Sequence, residues 1–475
     1  MIKKKHHLAA LIFILFWGTW GNSPELFLAA EGAGGSPAAY LPIVSNSFVP
    51  SSDTALFGVQ MYGNTGVTSP YHPYLLGSNA NWLRVNLSWE LVERVESDPS
   101  GFDWSHVDRN LSAALPENGG LEIIATIENN PSWAASVKQG PIDPEDVDEF
   151  AEFMAALAER FDGDGVDDAP GSPQVLYWEL YNEPDRVGDR WGDDGARYAQ
   201  MLAAVYPEVK NANPYAKIVM GGIAYDWFEE DGGPFAQHFL DDVFSAGGGN
   251  YLDVMNFHVY PSFSVNWTGQ TETTGVIAKT EAIRNVLSSY NLNMPIIVTE
   301  SGHHDNNAIG ASSTPELQSR YVVTILTEAM AADLDVMIWW MLYDLGNFYS
   351  FNTGLVTNSD NPVQTKQSYG VYQNVINELG TSEFVRTLSA AETGSGEAAV
   401  HQFANLLDES TIYVAWRSVV TSDDYVTIKI PGSSATVRDS VTYTATVVND
   451  GDDGSNDNQI TLQVNGRPRY IEVQP

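Results

Sequence analysis

Glu183 and Glu300 are the residues of this chain best placed to do chemistry, because each closes an apolar run that reads as a β-strand. The first run is Val175-Leu176-Tyr177-Trp178-Glu179-Leu180-Tyr181-Asn182-Glu183, and the second is Ile296-Ile297-Val298-Thr299-Glu300. A single glutamate at a strand end is usually a cap or a solvated loop residue. Two in matching contexts are another matter, since the C-terminal ends of different strands of a parallel barrel open on one mouth. One carboxyl can then protonate a leaving oxygen while the other attacks, or activates water, across the same bond. Glycosidic bonds are cleaved by such a pair.

Eight apolar runs can supply the strands of that barrel: Leu56 to Met61, Trp82 to Leu87, Leu121 to Ile127, Val175 to Tyr181, Lys217 to Met220, Val254 to Val259, Ile296 to Thr299 and Val336 to Leu342. Helical patterns separate them. Over Asp143 to Phe161, Val147, Phe150, Met154, Leu157 and Phe161 recur at spacings of three and four, with Asp143 as cap and Pro144 in the first turn. A second helix begins at Thr314-Pro315 and runs to Met330. Repeated βα units of this kind predict an α/β fold, a (β/α)8 TIM barrel over residues 53–380. Beyond Gly380, period-two runs at Thr411 to Trp416, Tyr425 to Ile430, Val441 to Val448, Ile460 to Val464 and Tyr470 to Val473 predict an antiparallel β-sandwich over 381–475.

Composition narrows the partners. Among 475 residues, 23 Lys and Arg face 61 Asp and Glu, a formal charge of -38, which disfavours nucleic acid and anionic lipid and leaves a neutral carbohydrate unopposed. There is no Cys, so disulfides, thiolate metal sites and a thiol nucleophile are excluded. Lys3, Lys4 and Lys5 precede the apolar stretch Leu8 to Trp17, and Ala29 and Ala30 follow. That order predicts a secretory signal over 1–30, a secreted protein, and no membrane association after cleavage. The Gly-, Ala-, Ser- and Pro-rich stretch 31–52 reads as a linker.

Further polar residues collect where the barrel mouth should lie: Arg84, Glu128-Asn129-Asn130-Pro131, Asn182 beside Glu183, Asn256-Phe257-His258-Val259-Tyr260-Pro261, and Trp339-Trp340. Together with the two glutamates they resemble the glycoside hydrolases of clan A, most closely the family 39-like and family 5-like enzymes. The resemblance covers the barrel. It implies a retaining O-glycoside hydrolase with Glu183 as acid/base and Glu300 as nucleophile, and needing no cofactor or metal. It further implies that Asn182 binds the sugar 2-hydroxyl, that His258 and Tyr260 orient the two carboxylates, and that Arg84 keeps Glu300 ionised. One of Trp339 and Trp340 would form the aromatic floor of the subsite, since adjacent strand residues face opposite ways. Asn129 and Asn130 would be substrate contacts, although many relatives carry His or Trp where this chain has Glu128.

Independently of the family, a negative nucleophile close by should raise the acid's pKa and keep it protonated. Two or three of Trp89, Trp133, Trp191, Trp227 and Trp267 are expected to line subsites. Asp162-Gly163-Asp164-Gly165-Val166-Asp167-Asp168 clusters oxygen donors but lacks the closing bidentate Glu of a calcium loop, so a solvated acidic turn is preferred. His303-His304-Asp305 reads as a substrate-contacting loop rather than a metal site. The rival reading is a non-catalytic glycan-binding barrel, which would keep the aromatics and lack one carboxylate.

Overall fold

The structure, a computed structural model, describes residues 56–96, 101–308, 311–359 and 362–473. The expected secretory signal and linker lie outside the described residues. Eight parallel strands form one sheet: β1 (Phe57–Met61), β2 (Trp82–Ser88), β3 (Glu122–Glu128), β4 (Tyr177–Asn182), β5 (Lys217–Gly222), β6 (Met255–His258), β7 (Ile296–Ser301) and β8 (Val336–Trp339). They follow one another around the sheet, with β1 beside β8. Parallel bridges from Val219 to Val254 and from Ile223 to Phe257 close it between β5 and β6. This is the TIM barrel that the alternating pattern predicts.

Inward-pointing side chains form stacked layers, because strand residues alternate faces. The lower layer is apolar and comprises Trp82, Ile124, Val219, Val254, Ile297, Val336 and Ile338, all buried. Gly58 of β1 belongs to this level, where a Cβ would collide with Ile338 and with Trp82. Two residues further along the strands the layer turns polar, with Gln60, Arg84, Thr126, Glu179, Asn256 and Thr299 all at 0% exposure. An apolar floor thus carries a buried polar tier directly under the mouth.

Helices cover the outside. The helix expected from Asp143 starts at Val147 and ends at Arg160; Asp143 to Asp146 instead close a turn, with the Asp146 amide donating to the Asp143 carbonyl at 2.9 Å. Helix Pro315–Ala331 begins where expected, with the Thr314 hydroxyl accepting from the Leu317 amide at 3.1 Å.

The C-terminal strands are β9 (Ser382–Thr387), β10 (Ala398–Asn405), β11 (Thr411–Arg417), β12 (Val426–Pro431), β13 (Ser434–Asp439), β14 (Ala445–Asn449), β15 (Gln459–Val464) and β16 (Arg469–Val473). They make a six-stranded antiparallel sheet and a β12–β15 pair, whose inner faces share a core of Val400, Tyr413, Ile428, Ile430, Ile460 and Ile471. The strand expected over Val441 to Val448 is instead a turn followed by β14. Asp439 accepts from the Val441 and Thr442 amides at 3.0 and 2.8 Å, and this aspartate-centred turn folds β14 back on β13. The other face of the six-stranded sheet continues the barrel's own apolar core through Phe403, Ile412, Val414, Trp416, Val420 and Tyr470. Polar contacts border that seam: Arg320 pairs with Asp423 at 2.6 Å, and the Val420 amide donates to the Glu272 backbone carbonyl at 2.9 Å.

Gly58→Ala tests the tight lower layer. Overpacking there is expected to cost about 1–3 kcal/mol, read as a fall in the denaturant midpoint at an unchanged slope.

Candidate active site

Two irregularities in the strands turn polar residues into the mouth. In β4 the pairing with β5 keeps its offset from Leu180 opposite Met220 to Asn182 opposite Gly222, but Tyr181 between them takes a left-handed backbone with φ of 65°. That local turn lets Asn182 face inward like Glu179, where it meets Arg84, while Tyr181 turns outward against Phe150 and Trp191. Glu183 follows at φ of 46°, its amide donating to the Gly222 carbonyl at 2.9 Å. In β7 the register with β8 shifts between Val298 and Ser301, and opposite β6 it shifts so that Glu300 lies beside His258. Thr299 and Glu300 can then both reach the interior.

Arg84 is the hub. Its Nε and Nη2 donate to the two oxygens of Glu179, both at 2.8 Å, and Nη2 also donates to Asn182 Oδ1 at 2.7 Å. Nη1 donates to Gln60 at 2.9 Å and to Glu300 Oε1 at 2.6 Å. The other oxygen of Glu300 accepts from the Tyr260 hydroxyl at 2.9 Å. Both oxygens of Glu300 are thereby held by hydrogen-bond donors. Burial pushes the carboxyl of Glu179 up, but Arg84 outweighs burial and holds it below the usual range. Burial and the charge of Glu300 push the Tyr260 hydroxyl well up, so it remains a donor.

His258 stands between the glutamates. Its Nδ1 lies 3.2 Å from Glu183 Oε1 and 3.7 Å from Glu300 Oε2, while Nε2 is 3.3 Å from the Thr299 hydroxyl. A carboxylate oxygen of Glu183, one of Glu300 and a nitrogen of His258 all fall within 4.8 Å of one another. Two acids and an imidazole so grouped match the donor set of a cation site, but the protein's own cation, Arg84, already sits on Glu300. Behind Glu183, Arg190 Nη1 lies 3.6 Å from Glu183 Oε2 and donates to the Asn182 carbonyl. Burial raises the carboxyl of Glu183, but the hydrogen bond from His258 and the charges of Arg190 and Arg186 outweigh it, leaving it below its ordinary value. This reverses the direction expected from the sequence, where only the neighbouring nucleophile entered the argument.

The aromatic and amide expectations divide. Trp340 reaches the mouth: its Nε1 donates to the Tyr62 hydroxyl at 3.4 Å and its ring meets Tyr349 edge-on at 5.1 Å. The charge of Glu300 contributes, after burial, to raising the hydroxyls of both tyrosines. Trp339 does not reach it. It is fully buried in the layer between barrel and helices, donating to the Thr353 carbonyl at 3.1 Å, because β8 turns that face outward. Asn130 is likewise committed to its own loop: Nδ2 donates to the Val137 and Gly140 carbonyls and Oδ1 accepts from the Tyr181 hydroxyl at 2.5 Å. Asn129 accepts from Gln139 at 3.2 Å with its backbone at φ of 61°, which turns the chain after β3.

Trp89 and Trp191 are buried core, the first against Phe150 and Phe153, the second against Tyr198. Trp133, Trp227 and Trp267 are half-buried. Trp267 donates to Asp226, lies 5.1 Å from the Lys279 ammonium and stacks on Tyr225. His303 and His304 stack on each other, and His303 lies on Tyr321 of helix Pro315–Ala331, so this pair braces the loop rather than facing substrate. Asp162, Asp164 and Asp168 bring oxygens within 4.8 Å of one another, and backbone amides of Asp164, Val166 and Gly165 cap them.

Sequence reasoning missed Glu179, Gln60, Thr299, Arg190, Tyr62 and Tyr349. Glu179 carried a visible signal, an acid between Trp178 and Leu180 in an otherwise apolar strand. The others lie in strands or loops where nothing local marks them.

Comparison with known proteins adds a family model described as "Cellulase (glycosyl hydrolase family 5)", which matches residues 49–346. No curated protein sequence matches the chain. Among solved structures, a family 39 glycoside hydrolase from the gut symbiont Bacteroides cellulosilyticus WH2 aligns with TM-score 0.68 at 18% identity, covering 89% of this chain and 82% of that one. A GH30 endoxylanase from Clostridium papyrosolvens C71 aligns with TM-score 0.58 at 13% identity, covering 89% and 97%. A GH39 β-xylosidase from Caulobacter crescentus aligns with TM-score 0.55 at 15% identity, covering 89% and 97%. At these identities the likeness is one of fold.

Removing the hub should be costly. Arg84→Met leaves Glu179 buried without its cation and is expected to lose about 3–5 kcal/mol in equilibrium unfolding, whereas Arg84→Met/Glu179→Met should recover most of that loss.

Proposed function

The chain belongs to glycosyl hydrolase family 5, the cellulase family, and is a retaining O-glycoside hydrolase; on that premise we propose that it cleaves a polysaccharide or oligosaccharide with Glu300 as nucleophile and Glu183 as acid/base. The observation that carries the assignment is the approach of their carboxylate oxygens to within 4.8 Å. An inverting pair would stand roughly 6.5–9.5 Å apart to admit a water, whereas a retaining pair needs only about 5–5.5 Å. A glycan-binding barrel without catalysis would have no reason to bring two buried acids so close.

In the first step Glu300 Oε attacks the anomeric carbon as the bond to the leaving oxygen breaks, and Glu183 passes its proton to that oxygen. A glycosyl ester of Glu300 results. In the second step Glu183, now a carboxylate, takes a proton from water as the water oxygen attacks the same carbon, releasing the sugar with its configuration retained and Glu300 free. Arg84 and Tyr260 hold Glu300 as the anion that attacks, and they stabilise it again as leaving group. His258 orients Glu183. The NH2 group of Asn182, whose oxygen is taken by Arg84, is the end left to meet a sugar hydroxyl. Trp340, with Tyr62 and Tyr349 beside it, supplies the flat apolar face that a sugar ring packs on.

Because surrounding cations hold Glu183 low in the free protein, its acid form is fullest at acidic pH, and binding of a sugar, which displaces water, works to raise it. The N-terminal sequence, with Lys3 to Lys5 ahead of Leu8 to Trp17, supports an exported enzyme working on extracellular glycan.

Aryl glycosides and polysaccharides, with xylosides and glucosides first, provide the assay. Glu300→Ala is expected to be inactive on every substrate. Glu183→Ala should lose about 10²–10⁴-fold on substrates with poor leaving groups yet keep first-step turnover on dinitrophenyl glycosides, which need no proton. Full activity in both variants rejects the assignment. Arg190→Gln removes a charge that lowers Glu183, so the alkaline limb of its kcat/KM profile should move to higher pH; an unmoved limb denies Arg190 that role.

A further inference from the structure

Glu128 ends β3, and its side chain points into the mouth. Thr126, two residues earlier, reaches Glu179 Oε2 in the barrel interior at 2.7 Å, and strand alternation puts Glu128 on the same face one tier higher. Its electrostatic neighbours agree: the charges of Arg190 and Arg84 act on it, Asn86 of β2 hydrogen-bonds it, and it acts in turn on Tyr62 beyond β1. The residue is 3% exposed, and burial pushes its carboxyl up to about 7.

Its Oε2 is buried without a hydrogen-bond partner. The same holds for Oε2 of Glu183, the acid/base, and for Nε of Arg190, which lies against Glu183. Three polar atoms without a hydrogen bond thus belong to the β3–β4 side of the pocket, and Glu183 Oε2 among them still has its longer ion pair with Arg190. Buried polar groups in folded proteins are overwhelmingly paired, and one left without a hydrogen bond is unfavourable. On the opposite side Glu300 has both oxygens occupied by Arg84 and Tyr260, so of the carboxylates named at the mouth only Glu128 and Glu183 keep an oxygen without a hydrogen bond.

We propose that Glu128 is a specificity-determining residue of the subsite that holds the sugar whose bond is cleaved, its free oxygen accepting a hydrogen bond from one ring hydroxyl of that sugar. The inference rests on the glycosidase reading and sharpens it: the substrate is a pyranoside bearing a hydroxyl at the position facing Glu128. A site built to bind a hydroxyl rejects the analogue lacking it, because the buried acceptor is then left unpaired on substrate binding. This contact is separate from that of Asn182 and does not take part in proton transfer to the leaving group.

The test is a set of monodeoxy variants of whichever dinitrophenyl glycoside the wild type hydrolyses best, assayed with wild type, Glu128→Ala and Glu128→Gln. Wild type should show a large kcat/KM penalty for removing the hydroxyl that faces Glu128. Glu128→Ala should lose about 100-fold or more on the parent glycoside and pay almost no further penalty at that one position, while its penalties at the other positions stay at wild-type values. Glu128→Gln keeps an acceptor oxygen and should fall between. A variant that is merely misfolded would lower all substrates together, and thermal melts run alongside identify that case. If folded Glu128→Ala shows the wild-type penalty at every position, the inference is overturned while the glycosidase reading stands. If wild type hydrolyses no glycoside, both fall together.

Discussion

A single buried guanidinium organises the mouth of this barrel. Arg84 has five N–H donors, and all five are used, on residues from β1, β4 and β7. A planar fork holding Glu179 with two parallel bonds cannot swivel, so the arm that reaches Glu300 points in one direction only. The cation is at 0% exposure, which would be untenable without the two carboxylates it contacts. Glu179 therefore acts as the permanent counter-ion, leaving Glu300 to share the guanidinium while still presenting its anion to the pocket. Replacing Arg84 by Lys would keep the charge and lose the geometry.

The rest of the site is built by interrupting regular strands. An unbroken β4 would place Asn182 on the outer face with Trp178, and an unbroken β7 would do the same to Glu300. The left-handed turn at Tyr181 in β4 and one extra residue in β7 reverse that. The left-handed backbones at Tyr181 and Glu183 are the cost of the arrangement, of the order of 1–3 kcal/mol apiece. They are tolerated because Tyr181 is locked by Asn130, Phe150 and Trp191 on the outer side. Asn130, which looks from sequence like a substrate contact, thus serves the site indirectly by clamping the residue at which the strand turns.

The same physics explains what the sequence disclosed. Parallel strands buried on both faces are apolar throughout, so all eight stood out, and an acid at the end of such a run is conspicuous. Which way a residue faces was harder to read. Trp339 and Trp340 are interchangeable by type, and only the register of β8 against β1 and β7 separates the buried one from the one at the mouth. Trp89 and Trp191 follow strands as subsite residues would, yet helices pack over them. The edge strand Ser382–Thr387 and the inner strand Ser434–Asp439 mix Ser, Glu, Arg, Thr and Asp with few apolar residues, so no periodicity betrayed them. The pKa of Glu183 was misjudged for a related reason: Arg186 and Arg190 lie in the loop after β4, and nothing in their spacing reveals that they fold back on it.

The apolar seam between the barrel and the six-stranded sheet makes the two halves one solvent-excluded body. Trp416, Tyr470 and Val414 face the barrel rather than an independent interior, so a polypeptide cut after the last barrel helix would show these partners' bare counterpart to water and invite self-association. The C-terminal region therefore cannot be traded between enzymes as a detachable cassette. Because its Val420 and Thr421 also grip Glu272, a few residues beyond Trp267, changes in that sheet have a covalently short route to the segment that packs on Asp226 and Lys279.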